Sequence, residues 1–507
     1  MKILCVSDII LDAFFRNIEN KFPQISIKVI YSENLAAQLF NTGIDKDVEL
    51  IYIHIDSIFK KYSKNYLVIL LNSLYEFALN TTKKVLCSNL IFESFKSNSL
   101  SNTFGFIIDN NRSFFEFFID KQLKNLYFID VWNVVLNIGA TNSYNYRLGH
   151  LYQMPYTKSF LSEFEIKLTE YIKRIDTPDK KVIIVDCDNT LWQGILGEDG
   201  IDGIKCDLNT DGILFYHFQQ FLIQKKDEGY LLVICSKNNE KDVEDVFNKK
   251  PMPLQWDDFV LKKINWNNKV ENIKEIASEL NVSLDSFVFI DDSDFEIKSV
   301  DLLLPQIHTI KMNNDYSSFN KINYDLNLLK KTIVTEDLTR TSQYLQESQR
   351  KKLKNSSISF DDYIKSLEIK IQLSIDSEIE FERISQLTEK TNQFNFNKKI
   401  IGTAELISMV KRGEIKVFSI KVNDKYGDYG LVGVILVTFL DGFPVLENFI
   451  LSCRALGRKI EYEFLKMVED KLILNYGSKF KFIKFEKTEK NIPAVTFYNE
   501  IKQNYGI

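Results

Sequence analysis

The sequence predicts an α/β protein built on parallel sheets, followed by an α+β unit toward its C-terminal end. Three observations carry this. Unbroken apolar, β-branched runs such as Val182–Val185 suit strands covered on both faces, the burial pattern of parallel sheets. Up to about residue 330 such runs alternate with stretches of helical periodicity, the order that βαβ units produce. Beyond about residue 365 the pattern changes to "YGLVGVILVTFLDGFPVLENFILS", two strands joined by a short turn, with a helix after them. A chain of 507 residues is too long for one core. The expected domains are 1–175, 176–345 and 346–507.

Residues 1–175 offer the strand candidates "KILCV", "ELIYIHI", "KKVLCSNLIF" and "NLYFIDV", with helical stretches between them. They predict a flavodoxin-like parallel sheet. Ser7 and Asp8 follow the first strand, and His150 lies near the domain's end. That layout resembles an SGNH hydrolase, in which a serine follows strand one and a late Asp–x–x–His completes a triad. Arg147 stands where the aspartate would be, the Ser–Asp order is inverted, and the usual preceding glycine is absent. Without its geometric partners a serine is not a nucleophile. The expectation is a degenerate domain with a structural or docking role.

The second segment opens with "VIIVDCDNTLWQGILGEDG", Val182 to Gly200. Residues two apart on a strand share a face, so Asp186 and Asp188 emerge together where the strand ends. Ligands of open α/β sheets bind beyond the carboxyl ends of strands. Two carboxylates crowded there call for a cation, and hard oxygen ligands favour Mg²⁺. The plain alternative is an Asp-rich turn before a helix. A second buried run, "YLLVICSKNN", ends on Ser236. Lys269 opens an amphipathic helix whose apolar positions are Val270, Ile273, Ile276, Ala277 and Leu280. A third run, Phe287–Ile290, ends on Asp291 and Asp292. Gly194 to Gly203 is expected to form a short flap, with Trp192 either covering the base of the site or filling core.

Asp–x–Asp, Ser, Lys and Asp–Asp in this order resemble the four motifs of the HAD (haloacid dehalogenase-like) superfamily, which implies a Rossmann-like parallel sheet. "DCDNTLWQGILGEDG", "ICSKNN", "FIDDSDFE", "TEKTNQFNF", "YGDYGLVG" and "LSCRALGRKIE" resemble its FkbH-like branch. Members of that family load a three-carbon glyceryl unit from 1,3-bisphosphoglycerate onto an acyl carrier protein, in polyketide and related secondary-metabolite pathways. The resemblance implies Asp186 as nucleophile and Asp188 as general acid and base. It implies Thr190, Ser236, Lys237 and Lys269 as phosphate-binding residues. Mg²⁺ would be held by Asp186, Asp188 through its backbone carbonyl, Asp291 and Asp292. A cysteine would carry the acyl group if the carrier's own thiol does not. Cys235 and Cys453 sit in family-like motifs, and Cys235 is the choice, against a plain buried role for every cysteine.

"LTRTSQYLQESQRKKLKNSSISFDDYIKSLE" reads as a linker helix with a solvated face. Arg350, Lys351, Lys352 and Lys354 on it are candidates for carrier docking. The C-terminal strand, Arg–x–x–Gly loop, helix and late Phe-Tyr resemble the GNAT N-acetyltransferase fold. That resemblance implies Arg454, Gly457 and Arg458 as a phosphopantetheine-binding loop at a helix N-terminus. Lys459 stands where the family carries a small residue. An alternative function follows, a phosphatase fused to an N-acyltransferase acting on an amino sugar for a surface glycan.

Composition narrows the classes. A net charge of −5 gives no nucleic-acid footprint. No apolar run approaches the ~18 residues that span a bilayer. The six cysteines have no CxxC spacing, so free thiols in a reducing compartment and a cytoplasmic location are expected. The N-terminal "MKILCVSDIILDAFF" carries Ser7, Asp8 and Asp12, which does not read as a secretory signal.

Overall fold

Strand β1 (Lys2–Ser7) buries five of its six residues and pairs in parallel with β2 (Ser26–Tyr31) on one side and β3 (Leu50–His54) on the other. β4 (Lys84–Ser88) and β5 (Leu126–Ile129) extend the sheet in parallel beyond β3. This is a computed structural model, and it describes residues 1–56, 64–88, 123, 125–331, 340–356, 359–452 and 454–502. The order β2-β1-β3-β4-β5 is the flavodoxin-like arrangement. Each of the four strand candidates of this segment contains a strand, and residues 89–92 of "KKVLCSNLIF" lie outside the described residues. β2 was not anticipated, because "SIKVIY" is a half-buried edge strand with no apolar run.

The second sheet contains β6 (Val182–Val185), β7 (Leu231–Ser236), β8 (Phe259–Ile264), β9 (Phe287–Asp291) and β10 (His308–Lys311). Its order is β10-β9-β6-β7-β8 and all its pairs are parallel. β6, β7 and β9 are buried at every residue, which is why their sequences read as continuous apolar runs. The chain leaves β6 toward β7 and later returns to β9 on the other flank. The gap between β6 and β9 is therefore the topological switch point, where open α/β sheets place ligands. Both parallel sheets lie in one compact unit, Met1–Val334.

The other unit, Thr335–Ile507, holds a mixed sheet in the order β11-β12-β13-β14-β15. Its strands are β11 (Lys370–Ile375), β12 (Lys416–Asp424), β13 (Gly427–Leu440), β14 (Phe443–Leu451) and β15 (Phe482–Ile483). Only β14–β15 is parallel. The hairpin turns on Asp441 and Gly442, both with positive φ (51° and 80°), the requirement of a type I′ turn. Past the short β14–β15 pairing, residues 394–396 fill the space between the diverging strands. Phe396 N–H donates to Phe449 O (3.1 Å), Leu451 N–H to Phe394 O (3.0 Å) and Glu486 N–H to Phe396 O (2.7 Å). The expected solvated face of the linker helix needs correction at Arg350. That residue is buried on the helix Arg340–Ser356, pairs with Asp424 through two hydrogen bonds (2.8 and 2.9 Å) and stacks over Tyr429. It is a packed ion pair and not a docking cation. The side chains of Lys351, Lys352 and Lys354 lie outside the described residues. Among the described residues no helix is long and apolar enough to cross a membrane.

Candidate active site

The site forms at the β6/β9 switch point. Asp186 leaves β6, and its backbone N–H donates to Ile290 O of β9 (3.1 Å), which fixes the loop against the neighbouring strand. Asp291 is the last residue of β9 and Asp292 follows it. One carboxylate oxygen from each of Asp186, Asp291 and Asp292 lies within 4.8 Å of the others. Lys269, the first residue of the helix Lys269–Leu280, reaches the same point. Its Nζ stands 2.8 Å from Asp186 Oδ1 and 2.6 Å from Asp291 Oδ2. All three of these groups are buried.

Three carboxylates face one ammonium, so the cluster is short of positive charge. Burial works against a charged Lys269, but Asp186 and Asp291 outweigh it and raise its pKa. Burial pushes Asp291 up as well, with the Asp186 charge adding to it and Lys269 opposing. Asp292 is raised by burial and by Asp186. The donor set, carboxylate oxygens with surplus negative charge, fits a hard divalent cation such as Mg²⁺.

Asp188 is treated differently, although it lies only two residues from Asp186. Its side chain is not in the three-carboxylate cluster. Oδ1 accepts from Trp192 Nε1 (3.0 Å) and from the Leu196 N–H (3.1 Å), and Oδ2 accepts from Asn238 Nδ2 (3.0 Å). Burial raises its pKa while these three donors pull it back. The turn that produces this placement runs through Asn189, which has positive φ (50°) and whose Oδ1 accepts from Gly194 N–H (3.1 Å). The expected flap is partly helical, over Leu196–Gly203. Trp192 is fully buried and packs in the core while its indole N–H holds Asp188, so it fills core and serves the site at once.

The remaining expected residues divide. Ser236 ends β7, is buried, and its Oγ accepts from Asn238 Nδ2 (3.2 Å). Thr190 is buried with its hydroxyl unpartnered among the described residues. Lys237 pairs with the buried Glu296 (2.7 Å), so that carboxylate already takes up its charge. Cys235 is fully buried, and burial pushes its thiol up to about 12, which keeps it protonated at neutral pH. Cys453 lies outside the described residues. Asn238 was missed by sequence reasoning. Its signal was the period of two from Ser236, in "SKNN".

In the C-terminal unit, Arg454 Nη1 donates to Gln343 Oε1 (2.7 Å). Arg458 Nη2 donates to both oxygens of Glu347 (2.7 Å each), and its Nη1 to the Arg454 and Leu456 carbonyls (2.5 and 3.2 Å). Gly457 has φ 72° and supplies the left-handed turn of this loop. A phosphate bound by these arginines would have to displace Gln343 and Glu347. The helix that follows, Ile460–Tyr476, carries Glu461 and Glu463 in its first turn, which opposes an anion there. In the N-terminal sheet, Ser7 is buried with its Oγ accepting from Ile9 N–H (3.2 Å), while His150 is exposed on the helix Tyr146–Tyr152.

No protein-family model matches the chain, and no curated protein matches its sequence. Among solved structures it is similar to the N-terminal part of the protein BF1531 from Bacteroides fragilis, described as containing a phosphatase domain and complexed with Mg. The two share 21% identity at a TM-score of 0.53, over 65% of this chain and 94% of the other. At that identity the likeness establishes a shared fold.

Proposed function

We propose that the chain is a Mg²⁺-dependent phosphatase or phosphotransferase whose nucleophile is Asp186. The observation that carries this is the convergence of Asp186, Asp291 and Asp292 on Lys269 at the β6/β9 switch point, with Asp188 held separately two residues away. The phosphatase domain and Mg named for the Bacteroides fragilis structure support the same assignment.

In the first step an Asp186 oxygen attacks phosphorus, the bond from phosphorus to the substrate oxygen breaks, and Asp188 gives its proton to that oxygen. In the second, water attacks the aspartyl phosphate, Asp188 takes the water's proton, and phosphate leaves with Asp186 restored. Lys269 keeps Asp186 in place and offsets its charge as the phosphoryl group approaches. Asn238 and Trp192 aim Asp188, and burial shifts its carboxyl upward, the direction a general acid needs. Asp186, Asp291 and Asp292, with the Asp188 carbonyl, would hold Mg²⁺, which supplies counter-charge for nucleophile and phosphate.

The finer assignment is loading of a three-carbon glyceryl unit from 1,3-bisphosphoglycerate onto an acyl carrier protein. The resemblance of motifs in both units to the FkbH-like family supports it. The carrier's own thiol is the preferred acceptor, given the buried, protonated Cys235. No observation favours the amino-sugar N-acyltransferase reading. Phosphate release should require Mg²⁺ and stop with EDTA, and full activity in metal-free buffer would refute the assignment. Intact-mass analysis of carrier mixed with enzyme and 1,3-bisphosphoglycerate tests the finer one. An unmodified carrier alongside active phosphate release would leave the phosphatase and remove the glyceryl transfer.

A further inference from the structure

Trp266 is 70% exposed, the most exposed of the chain's four tryptophans. It stands between β8 and the helix Lys269–Leu280. A tryptophan normally gains stability by burying its ring, and this one leaves it in water. The loop that displays it is braced on both sides. Asn265 N–H donates to Ser236 O (3.1 Å), and the Asn265 and Asn272 side chains exchange hydrogen bonds (2.9 and 3.3 Å). Asn267 N–H donates to Asn265 Oδ1 (2.9 Å), and Asn268 Oδ1 accepts from Val270 N–H (2.8 Å). The indole is tethered as well, its Nε1 donating to Asn239 Oδ1 (3.3 Å).

The contacts place this ring on the side of the general acid. Asn239 follows Asn238, whose Nδ2 donates to Asp188 Oδ2 (3.0 Å). The other oxygen, Oδ1, accepts from Leu196 N–H (3.1 Å), and Leu196 follows Ile195, which is 39% exposed. On both oxygens of Asp188 an exposed apolar side chain is therefore reached one residue away from the donor. Lys269, three residues past Trp266, turns instead to Asp186 and Asp291. The floor of the site is carboxylate and ammonium, and the surface beside the acid is apolar. The leaving group's carbon atoms extend from the oxygen that Asp188 protonates, so they start on this side.

We propose that Trp266 is a specificity-determining residue whose indole face packs against the carbon skeleton of the leaving group, so that the site selects phosphate esters by the apolar surface their leaving groups carry. The proposal rests on the phosphatase assignment, with Asp188 as the acid. Alkylphosphonates separate the two, because their P–C bond is not cleaved and binding is read without turnover. The phosphonate oxygens take the phosphoryl position, and the alkyl chain stands in for the leaving group.

Isothermal calorimetry on the full chain with Mg²⁺ would compare methyl-, propyl- and pentylphosphonate. Each CH₂ laid against the ring should tighten binding roughly two- to fourfold. Pentylphosphonate should then bind at least about tenfold more tightly than methylphosphonate. Trp266→Ala, at a position too exposed to disturb packing, should reduce that ratio to below about threefold. Trp266→Phe keeps an aromatic face and should restore most of it. A wild-type series that binds with no gain from methyl to pentyl, or a gain that survives in Trp266→Ala, would overturn the proposal and leave the phosphoryl site standing. Equal weakening of methyl- and pentylphosphonate in Trp266→Ala would also overturn it, making the residue a support for the Lys269 loop. No binding of methylphosphonate to the wild type would overturn the phosphatase assignment and this proposal with it.

Discussion

The two parallel sheets of the first unit both bring acids to their switch points, and they arrange those acids differently. In the N-terminal sheet the switch point lies between β1 and β3, and Ser7, Asp8, His54 and Asp56 gather there, all buried. Several of these groups are hydrogen-bonded within the group, and the His54 ring is neutral. Both oxygens of Asp8 accept from Asp56 N–H (3.0 and 2.9 Å), and the His54 ring sits between the Tyr52 and Tyr156 hydroxyls (2.7 Å each). Burial lowers His54 to about 3, so the ring is neutral. In the central sheet three carboxylates converge on one lysine and remain in charge deficit. A switch point offers a place for chemistry. What sets the central one apart is three carboxylates within reach of one another beside a buried lysine, an arrangement that suits a divalent cation.

The largest effect should come from removing the proposed nucleophile of the central sheet. Asp186→Asn keeps the shape and deletes the charge, and phosphate release should fall by about 10⁴-fold or more. A residual rate within tenfold of wild type would place the nucleophile elsewhere.

A smaller loss is expected from Asn238→Ala, since Asp188 keeps two of its three donors. Turnover should drop roughly tenfold with KM nearly unchanged. The drop should be greater for alkyl phosphates, whose leaving oxygen needs a proton, than for p-nitrophenyl phosphate. Equal losses on both substrates would mean that Asn238 only supports the loop.

The N-terminal switch point should reveal itself through stability. The unfolded chain protonates His54 near pH 6.5 and the folded chain only near 3, so stability rises with pH across that window and is lost as pH falls through it. Between pH 7.5 and 4.5 this one residue should cost roughly 2–3 kcal/mol. Thermal melts of wild type and His54→Gln at both pH values would show it as a smaller pH shift in the variant. An identical shift in both proteins would mean that His54 does not sense pH.

Ser7→Ala should have the least effect. With Ser7 buried and His150 exposed on a helix, turnover should stay within about twofold of wild type. A large loss with the fold intact would make the N-terminal sheet a second catalytic centre.

Much of this was legible in the sequence wherever the signal was local. Val182–Val185 and Phe287–Ile290 announce buried parallel strands because both faces are covered, and their terminal acids mark the site. The Asp441–Gly442 turn declares the hairpin, because few other residue pairs tolerate its backbone angles. What stayed hidden depends on contacts across sequence distance. Arg350 reads as one more charge on a polar helix until Asp424, 74 residues away, is seen beside it. Residues 394–396 have no strand periodicity to betray an insertion beside β14. Asn238 became visible as a partner of Asp188 only once β6 and β7 lay side by side.

The most direct test is to find the covalent intermediate. The enzyme would be mixed with a phosphorylated substrate and Mg²⁺, quenched in acid within a turnover, digested, and mapped by mass spectrometry. The account predicts one added phosphoryl group on the peptide containing Asp186, absent when EDTA replaces Mg²⁺ and absent from Asp186→Asn. A phosphoryl group on another residue, or Asp186→Asn turning over at the wild-type rate, would contradict it.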